Sequence, residues 1–228
     1  MTNIKLNKRL EVIAFLVPNG ANVLDVGCDH ALLDIYLVKE NRGVTAIGSD
    51  VKEGPLEKAK ENLKKYNVES KVELRLGDGI DTIDDKVDTI VISGMGGLNM
   101  VGILKYKTHL LKNVQRIILS PNNYQEFTRR EIVKLGFFIK DEHLVEENNI
   151  IYQVIVFEKG KKRYKKCDYL YGPILLEKQD ELFIKHIKRE LKQKEMLFKI
   201  LPKKYLKKRF TLQREIESIQ KLLKEKEV

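Results

Sequence analysis

The stretch Asn22-Val23-Leu24-Asp25-Val26-Gly27-Cys28-Asp29-His30-Ala31 decides how the rest of the chain is read. Five residues rich in Val and Leu run into Gly27, a polar pair follows, and residues 31–39 continue as an apolar segment of helical length. This is a strand, a tight turn and a helix, the first half of a βαβ unit. Ligands in open α/β sheets sit beyond the carboxyl ends of strands, where the strand order reverses. Gly27 lets the backbone come close to such a ligand.

The same alternation continues downstream. Residues 44–48, 71–76, 87–93 and 115–119 are short, rich in Val, Ile or Leu, and bounded by Gly, Asp, Asn or Pro, which predicts strands. Residues 55–66, 98–110 and 124–135 read as helices between them, with Pro55 suited to a first helical turn. Residues 137–144 and 150–158 then follow one another with only four polar residues between, as an antiparallel hairpin does. The expected fold class is α/β, a mostly parallel Rossmann-like sheet ending in an antiparallel hairpin, over residues 1–159.

After Lys159 the pattern changes. Residues 160–166 form a polar, basic linker, and no strand signal follows Pro173. Ile184, Ile187, Leu191, Lys194, Phe198 and Leu201 keep a 3–4 spacing, as do Leu212, Ile216, Ile219 and Leu223, and Pro202 separates the two runs. Residues 160–228 are therefore expected to be a helical domain built on an antiparallel coiled-coil hairpin.

Charge divides along the same line. The chain of 228 residues carries a net +10. Residues 161–228 hold 21 Lys and Arg against 10 Asp and Glu, while residues 1–160 hold 22 against 23. A near-neutral front half with a basic tail points to nucleic acid or another polyanion as partner. Cys28 and Cys167 stand far apart and in no metal-type spacing, so neither a metal site nor a disulfide framework is expected. No apolar run approaches membrane length, and the basic Met1–Arg9 stretch precedes no long apolar segment, so a cytoplasmic location without a membrane partner is expected.

Three acids mark three successive strand ends. Asp25 closes the first strand, Asp50 the second with Val51 after it, and Asp78-Gly79 the third. Only one glycine of a dinucleotide fingerprint is present, which disfavours a pyrophosphate cofactor. S-adenosylmethionine fits better. Its ammonium suits a carboxylate or carbonyl, its ribose diol suits Asp50, and its adenine amino group suits Asp78. Gly27, Cys28, Ser93, Gly94 and Met95 complete the expected cofactor set. Taken singly, each acid reads equally well as a turn residue or cap.

Together the Asp25–Ala31 segment, Gly54-Pro55, Gly77-Asp78-Gly79, Ser93-Gly94-Met95-Gly96-Gly97, Pro121-Asn122 and Tyr152 resemble the bacterial tRNA (adenine-22-N1)-methyltransferase family over nearly the whole chain. The chain departs from that family's pattern at Cys28, where Ser is usual, at Asp50, where Glu is common, and at Ser120, where Gln is frequent. The resemblance implies methyl transfer from S-adenosylmethionine to N1 of an adenine in tRNA by an enzyme that is monomeric when free. On that reading Asp29, His30 and Asn122 are the candidate catalytic residues. Asp29 or His30 would meet the cationic methylated base or take its proton. Gly96 and Gly97 would let a flat base approach, Pro121 would shape the loop beside it, Tyr152 would stack on the extruded base, and Arg9 would touch a phosphate. Lys161, Lys162 and Arg163, and the cluster Lys203, Lys204, Lys207, Lys208 and Arg209, would bind the RNA backbone. A methyltransferase acting on rRNA, and a non-catalytic RNA-binding module of the same fold, are the alternatives.

Overall fold

The computed structural model describes residues 4–40 and 43–224. Part of the basic N-terminal stretch, residues 1–3, thus lies outside the described residues. In chain order the elements are α1 (Lys8–Leu16), β1 (Asn22–Val26), α2 (Leu32–Lys39), β2 (Thr45–Asp50), α3 (Glu53–Tyr66), β3 (Val72–Leu76), β4 (Thr89–Ser93), α4 (Gly97–Tyr106), β5 (Arg116–Ser120), α5 (Gln125–Lys134), β6 (Phe137–Glu147) and β7 (Ile150–Lys159). Every strand expected from the sequence is present. Helix α1 was not expected. Its cap explains why it forms: the Asn7 side chain accepts from the Leu10 backbone N–H at 2.8 Å. Helix α4 stops at Tyr106, and a short 3-10 turn, Thr108–Lys112, replaces its expected last turn.

The seven strands form one sheet in the order β3-β2-β1-β4-β5-β7-β6, with β7 antiparallel to both neighbours. β1 lies between β2 and β4, so the connections leave it in opposite directions and the strand order reverses there. The central strands are apolar on both faces because helices cover both. Val23, Val91, Ile118 and Val156 pack with residues of α1, α2 and α3. Leu24, Ile90, Ile92, Ile117 and Leu119 alternate with them and pack with residues of α4 and α5.

The basic segment after β7 is not the free linker its composition suggests. The Tyr164 hydroxyl accepts from Ile139 N at 2.8 Å and donates to Ile139 O at 3.2 Å, pinning residues 160–166 to β6. Helices α6 (Lys166–Tyr171) and α7 (Pro173–Lys178) follow. Beneath them Arg129 is fully buried. Its guanidinium donates to Glu142 Oε1 at 2.6 Å, to Gln153 Oε1 at 2.6 Å and to the Tyr169 carbonyl at 3.2 Å. The second oxygen of Glu142 accepts from Ile174 N at 3.0 Å. Burial raises the Glu142 carboxyl above its ordinary value, opposed by Arg129. Gly172, at φ +90°, passes so close that a Cβ there would lie 2.6 Å from the Glu142 oxygens. One buried ion pair thus joins α5, β6, β7, α6 and the start of α7. The chain accordingly divides into compact units between Leu176 and Glu177, later than the boundary at 159/160 that the composition suggests.

The second unit is a helical hairpin of α8 (Glu181–Ile200) and α9 (Leu206–Lys224). Asp180 caps α8 by accepting from Phe183 N at 2.8 Å. Lys194, the polar interruption in the first apolar row, reaches across to Glu215 at 2.8 Å, and its own-helix partner Glu190 lies at 3.3 Å. Among the described residues no helix is long and apolar enough to cross a membrane.

Removing Arg129 while leaving Glu142 buried should be costly. Arg129→Leu is expected to lower unfolding free energy by about 3–5 kcal/mol. Arg129→Leu combined with Glu142→Leu should lose clearly less than Arg129→Leu alone. Urea denaturation of the three chains measures both, and a double variant no more stable than the single would mean that the pair is not the anchor.

Candidate active site

The turn after β1 is strapped down before it does any chemistry. Gly27 N and Cys28 N both donate to the Ser49 carbonyl of β2, at 2.8 and 3.0 Å. Gly27 has φ +77°, and Asp29 and Ala31 also take left-handed backbone at +51° and +54°. Two non-glycine residues in that region within three positions store strain, and such strain concentrates at functional turns. The result is a loop that presents Asp29 and His30 outward while Ala31 is buried.

A cavity of about 530 Å³ opens at the carboxyl ends of β1 to β4. Asp50, Val51, Asp78, Gly79 and Met95, all expected from the sequence, line it together with Gly27. Asp50 Oδ1 accepts from Lys52 N at 3.0 Å, which fixes that carboxylate. Gly79 has φ +56°, and a Cβ there would stand 2.8 Å from Ile103. Leu98, Asn99, Gly102 and Ile103 of α4 form the opposite wall and were not expected. Their only sequence signal is that α4 follows the glycine-rich turn after β4, so the helix must pass the mouth.

A second cavity of about 360 Å³ adjoins the first, lined by Arg9, Asp25, Cys28, Asp29, His30, Ser93 and Gly94 among others. Gly27 belongs to the walls of both. In the second cavity His30 Nε2 lies 3.6 Å from Asp29 Oδ2. The His30 carbonyl is held by Asn62 Nδ2 at 3.0 Å.

Beneath the turn two carboxyl groups compete for one environment. Asp25 and Asp34 are both buried, and neither Asp34 oxygen has a hydrogen-bond partner among the described residues. Burial pushes Asp25 up to about 7. Burial, and then the charge of Asp25, push Asp34 well above the ordinary carboxylate range. Two such groups cannot both ionise cheaply, and of the two Asp25 lies on the cavity wall. Burial also pushes the Cys28 thiol up, with Asp34 and Asp25 adding to the shift, so Cys28 is an inert wall and not a nucleophile.

The substrate-side residues are partly brought together. Asn122 donates from Nδ2 to the Gly94 carbonyl at 2.8 Å, its backbone N–H donates to the Met95 carbonyl at 3.0 Å, and its Oδ1 accepts from Arg9 at 3.4 Å. Its carboxamide is therefore oriented. The Arg9 guanidinium lies over the Tyr152 ring, 4.5 Å from the centroid. Tyr152 thus supports Arg9. Gly96 and Gly97 have a packing reason to be glycine. A Cβ at Gly97 would meet Thr128 Oγ1 at 2.3 Å, and one at Gly96 would meet Asn123 Oδ1 at 3.0 Å. Pro121 and Ser120 are buried. Ser120 lies in register with Ser93 on β4.

Lys161, Lys162 and Arg163 are exposed, as are Lys203, Lys204, Lys207 and Lys208. Arg209 differs. Its guanidinium stacks on Phe198 at 4.0 Å and donates to the Phe198 and Leu201 carbonyls, so it closes the hairpin turn. Among the described residues no group of three or more His, Cys, Asp or Glu side chains is placed to hold a metal ion.

The family model for tRNA (adenine(22)-N(1))-methyltransferase matches residues 23–221. The tRNA (adenine(22)-N(1))-methyltransferase of Bacillus subtilis is 32% identical over 205 residues, 87% of this chain and 86% of that protein. The crystal structure of the B. subtilis M1A22 tRNA methyltransferase superposes with a TM-score of 0.88 at 29% identity, covering 97% of this chain and 100% of that one. A Streptococcus pneumoniae protein solved with S-adenosyl-L-methionine superposes with a TM-score of 0.88 at 33% identity, covering 96% of this chain and 100% of that one.

The buried acid pair has a consequence for stability. A carboxyl whose folded pKa is raised favours folding most below its unfolded value near 4, and that advantage is lost as pH rises toward about 7. Asp34→Asn leaves only one ionisable carboxyl there, so its unfolding free energy should fall less than the wild type's between pH 5 and pH 7.5. Denaturant titrations at the two values measure this. Equal falls would show that Asp34 keeps no extra proton in the folded chain over that range.

Proposed function

The chain belongs to the tRNA (adenine(22)-N(1))-methyltransferase family, and from that premise we propose which of its residues perform each part of the reaction. It transfers a methyl group from S-adenosylmethionine to N1 of adenine 22 in tRNA. The observation that carries the assignment of roles is that Gly27 stands in the walls of two adjoining cavities. One has the volume and the paired acids of a nucleoside site, and the other has polar groups for a second reactant.

The larger cavity suits the cofactor. Asp50 would take the ribose diol and Asp78 the adenine amino group, with Val51 and Ile103 against the ring. Positive φ at Gly27 and Gly79 leaves space that any Cβ would fill. Ionised Asp25, with the carbonyl groups around Gly27 and Ser93, would receive the methionine ammonium. Bound there, S-adenosylmethionine supplies an electrophilic methyl group.

The acceptor needs orientation more than activation. The N1 lone pair of adenine lies in the ring plane and is free before reaction, so holding it in line is the main task. Asn122 is fixed by Gly94, Met95 and Arg9, and its Oδ1 has a second lone pair for the adenine N6–H. Asp29 faces the base as it becomes cationic and can accept the N6 proton afterwards, with His30 beside it as relay. Arg9, a cation, is poorly placed to favour a cationic base and better suited to the phosphate of the extruded nucleotide. Lys161, Lys162, Arg163 and the lysines at 203, 204, 207 and 208 supply contacts to other phosphates. In this reading the free enzyme is a monomer, works in the cytoplasm beside its substrate, and uses no metal.

Incubating tRNA with the protein and S-adenosylmethionine, then mapping 1-methyladenosine, should place the modification at position 22. A tRNA with guanine at that position should remain unmethylated. Methylation elsewhere, or in rRNA only, would overturn the assignment. Asp29→Ala should lower the single-turnover rate at saturating tRNA by about a hundredfold, within the usual range for acid–base groups, while tRNA binding stays unchanged. Asp78→Ala should weaken the cofactor in a calorimetric titration at least tenfold with tRNA affinity preserved. An unchanged cofactor dissociation constant would remove Asp78 from the site.

A further inference from the structure

The turn of the α8–α9 hairpin carries apolar side chains that its own packing does not use. Met196, Leu197 and Ile200 lie at i, i+1 and i+4 on the end of α8. Tyr205 stands in the turn, and Leu206 and Phe210 lie one helical turn apart at the start of α9. Ile200 is 77% exposed, Leu206 74% and Phe210 62%. Water contact for so many large apolar groups within fifteen residues is unfavourable, and exposed apolar clusters of this kind mark interaction surfaces.

The surroundings say what kind. Lys203, Lys204, Lys207 and Lys208 stand among these residues and are all exposed. Lys204 and Lys208 flank the Tyr205 ring at 5.4 and 5.5 Å, and Arg214 lies 5.3 Å from the Phe210 ring. Arg209 is turned inward on Phe198, so the turn is braced in the unbound chain. A site for phosphates alone needs the lysines but not the apolar groups between them. Flat apolar surface ringed by cations matches a polyanion that also offers a nucleobase face.

We propose that this tip is a stacking platform that seats on an exposed nucleobase face of folded tRNA, with the four lysines on the flanking phosphates. The proposal rests on the tRNA reading above and adds a contact that is not electrostatic. Its signature follows from that difference. Phosphate contacts set the slope of log affinity against log salt, whereas stacking changes affinity by the same factor at every salt concentration.

The test uses the full chain and tRNA binding across a salt series. Leu206→Ser with Phe210→Ser should weaken binding by about ten- to a hundredfold, the range of one stacked base, with the slope unchanged. Lys207→Gln with Lys208→Gln should instead flatten the slope by roughly one to two. Phe210→Trp should bind at least as tightly as wild type, and it carries the test if the double serine variant loses helix by circular dichroism. Methylation of position 22 at saturating tRNA should be normal in the serine and tryptophan variants. Normal methylation with unchanged affinity of the serine variant would overturn the platform and leave the enzyme assignment standing. No methylation by the wild-type chain would overturn the assignment itself. The platform is also overturned if the serine variant keeps its tRNA affinity but loses binding to vesicles of mixed neutral and anionic phospholipid, or loses a concentration-dependent dimer in light scattering.

Discussion

The constraint on which the site depends is the placing of β1 between β2 and β4. Parallel strands need crossovers, and here the crossover after β1 runs one way while the return to β4 runs the other. No connection therefore crosses the carboxyl ends of β1 and β4, and the two cavities form in the gap. The turn at Gly27 lies at that point. Its N–H and that of Cys28 are both tied to Ser49, so the left-handed residues that follow have little freedom to relax. A rigid turn of this kind loses little conformational freedom when a ligand is placed against it.

Buried charge is used twice, with opposite results. Arg129 and Glu142 are paired and further satisfied by Gln153, Tyr169 and Ile174, so their desolvation is offset and they act as an anchor. Among the described residues, Asp25 and Asp34 have no such cation. Burial therefore raises both carboxyls above the ordinary range. The first arrangement serves the fold, and the second costs stability as pH rises.

The basic residues of the tail are not equivalent either. Lys194 crosses to Glu215 and Arg209 closes the turn, so part of the positive charge is consumed in building the hairpin. The lysines at 203, 204, 207 and 208 stay in water. Tyr164 and Tyr169, which interleave with the first basic run, pack edge to face at 5.6 Å and serve the first unit's core.

The sequence by itself determined the strand–helix alternation, the antiparallel final hairpin, the helical tail and the three acids at strand ends. Each of these rests on local periodicity or on a residue beside a turn, and such signals are carried within a few positions. The Asp25–Ala31 segment and the glycine-rich turn after β4 were legible for the same reason. Only the tertiary structure decided that Tyr152 supports Arg9, that Gly97 is small for the sake of Thr128 on α5 and Gly96 for the sake of Asn123, and that Leu98, Asn99, Gly102 and Ile103 wall the larger cavity. It also moved the division of the chain from residue 159 to Leu176, because Arg129 meets Glu142 and Tyr169, 13 and 40 positions away in sequence, and Glu142 in turn accepts from Ile174, 32 positions on. Contacts at that separation leave no periodicity behind, since nothing in the composition of residues 160–176 records that a buried guanidinium lies beneath them.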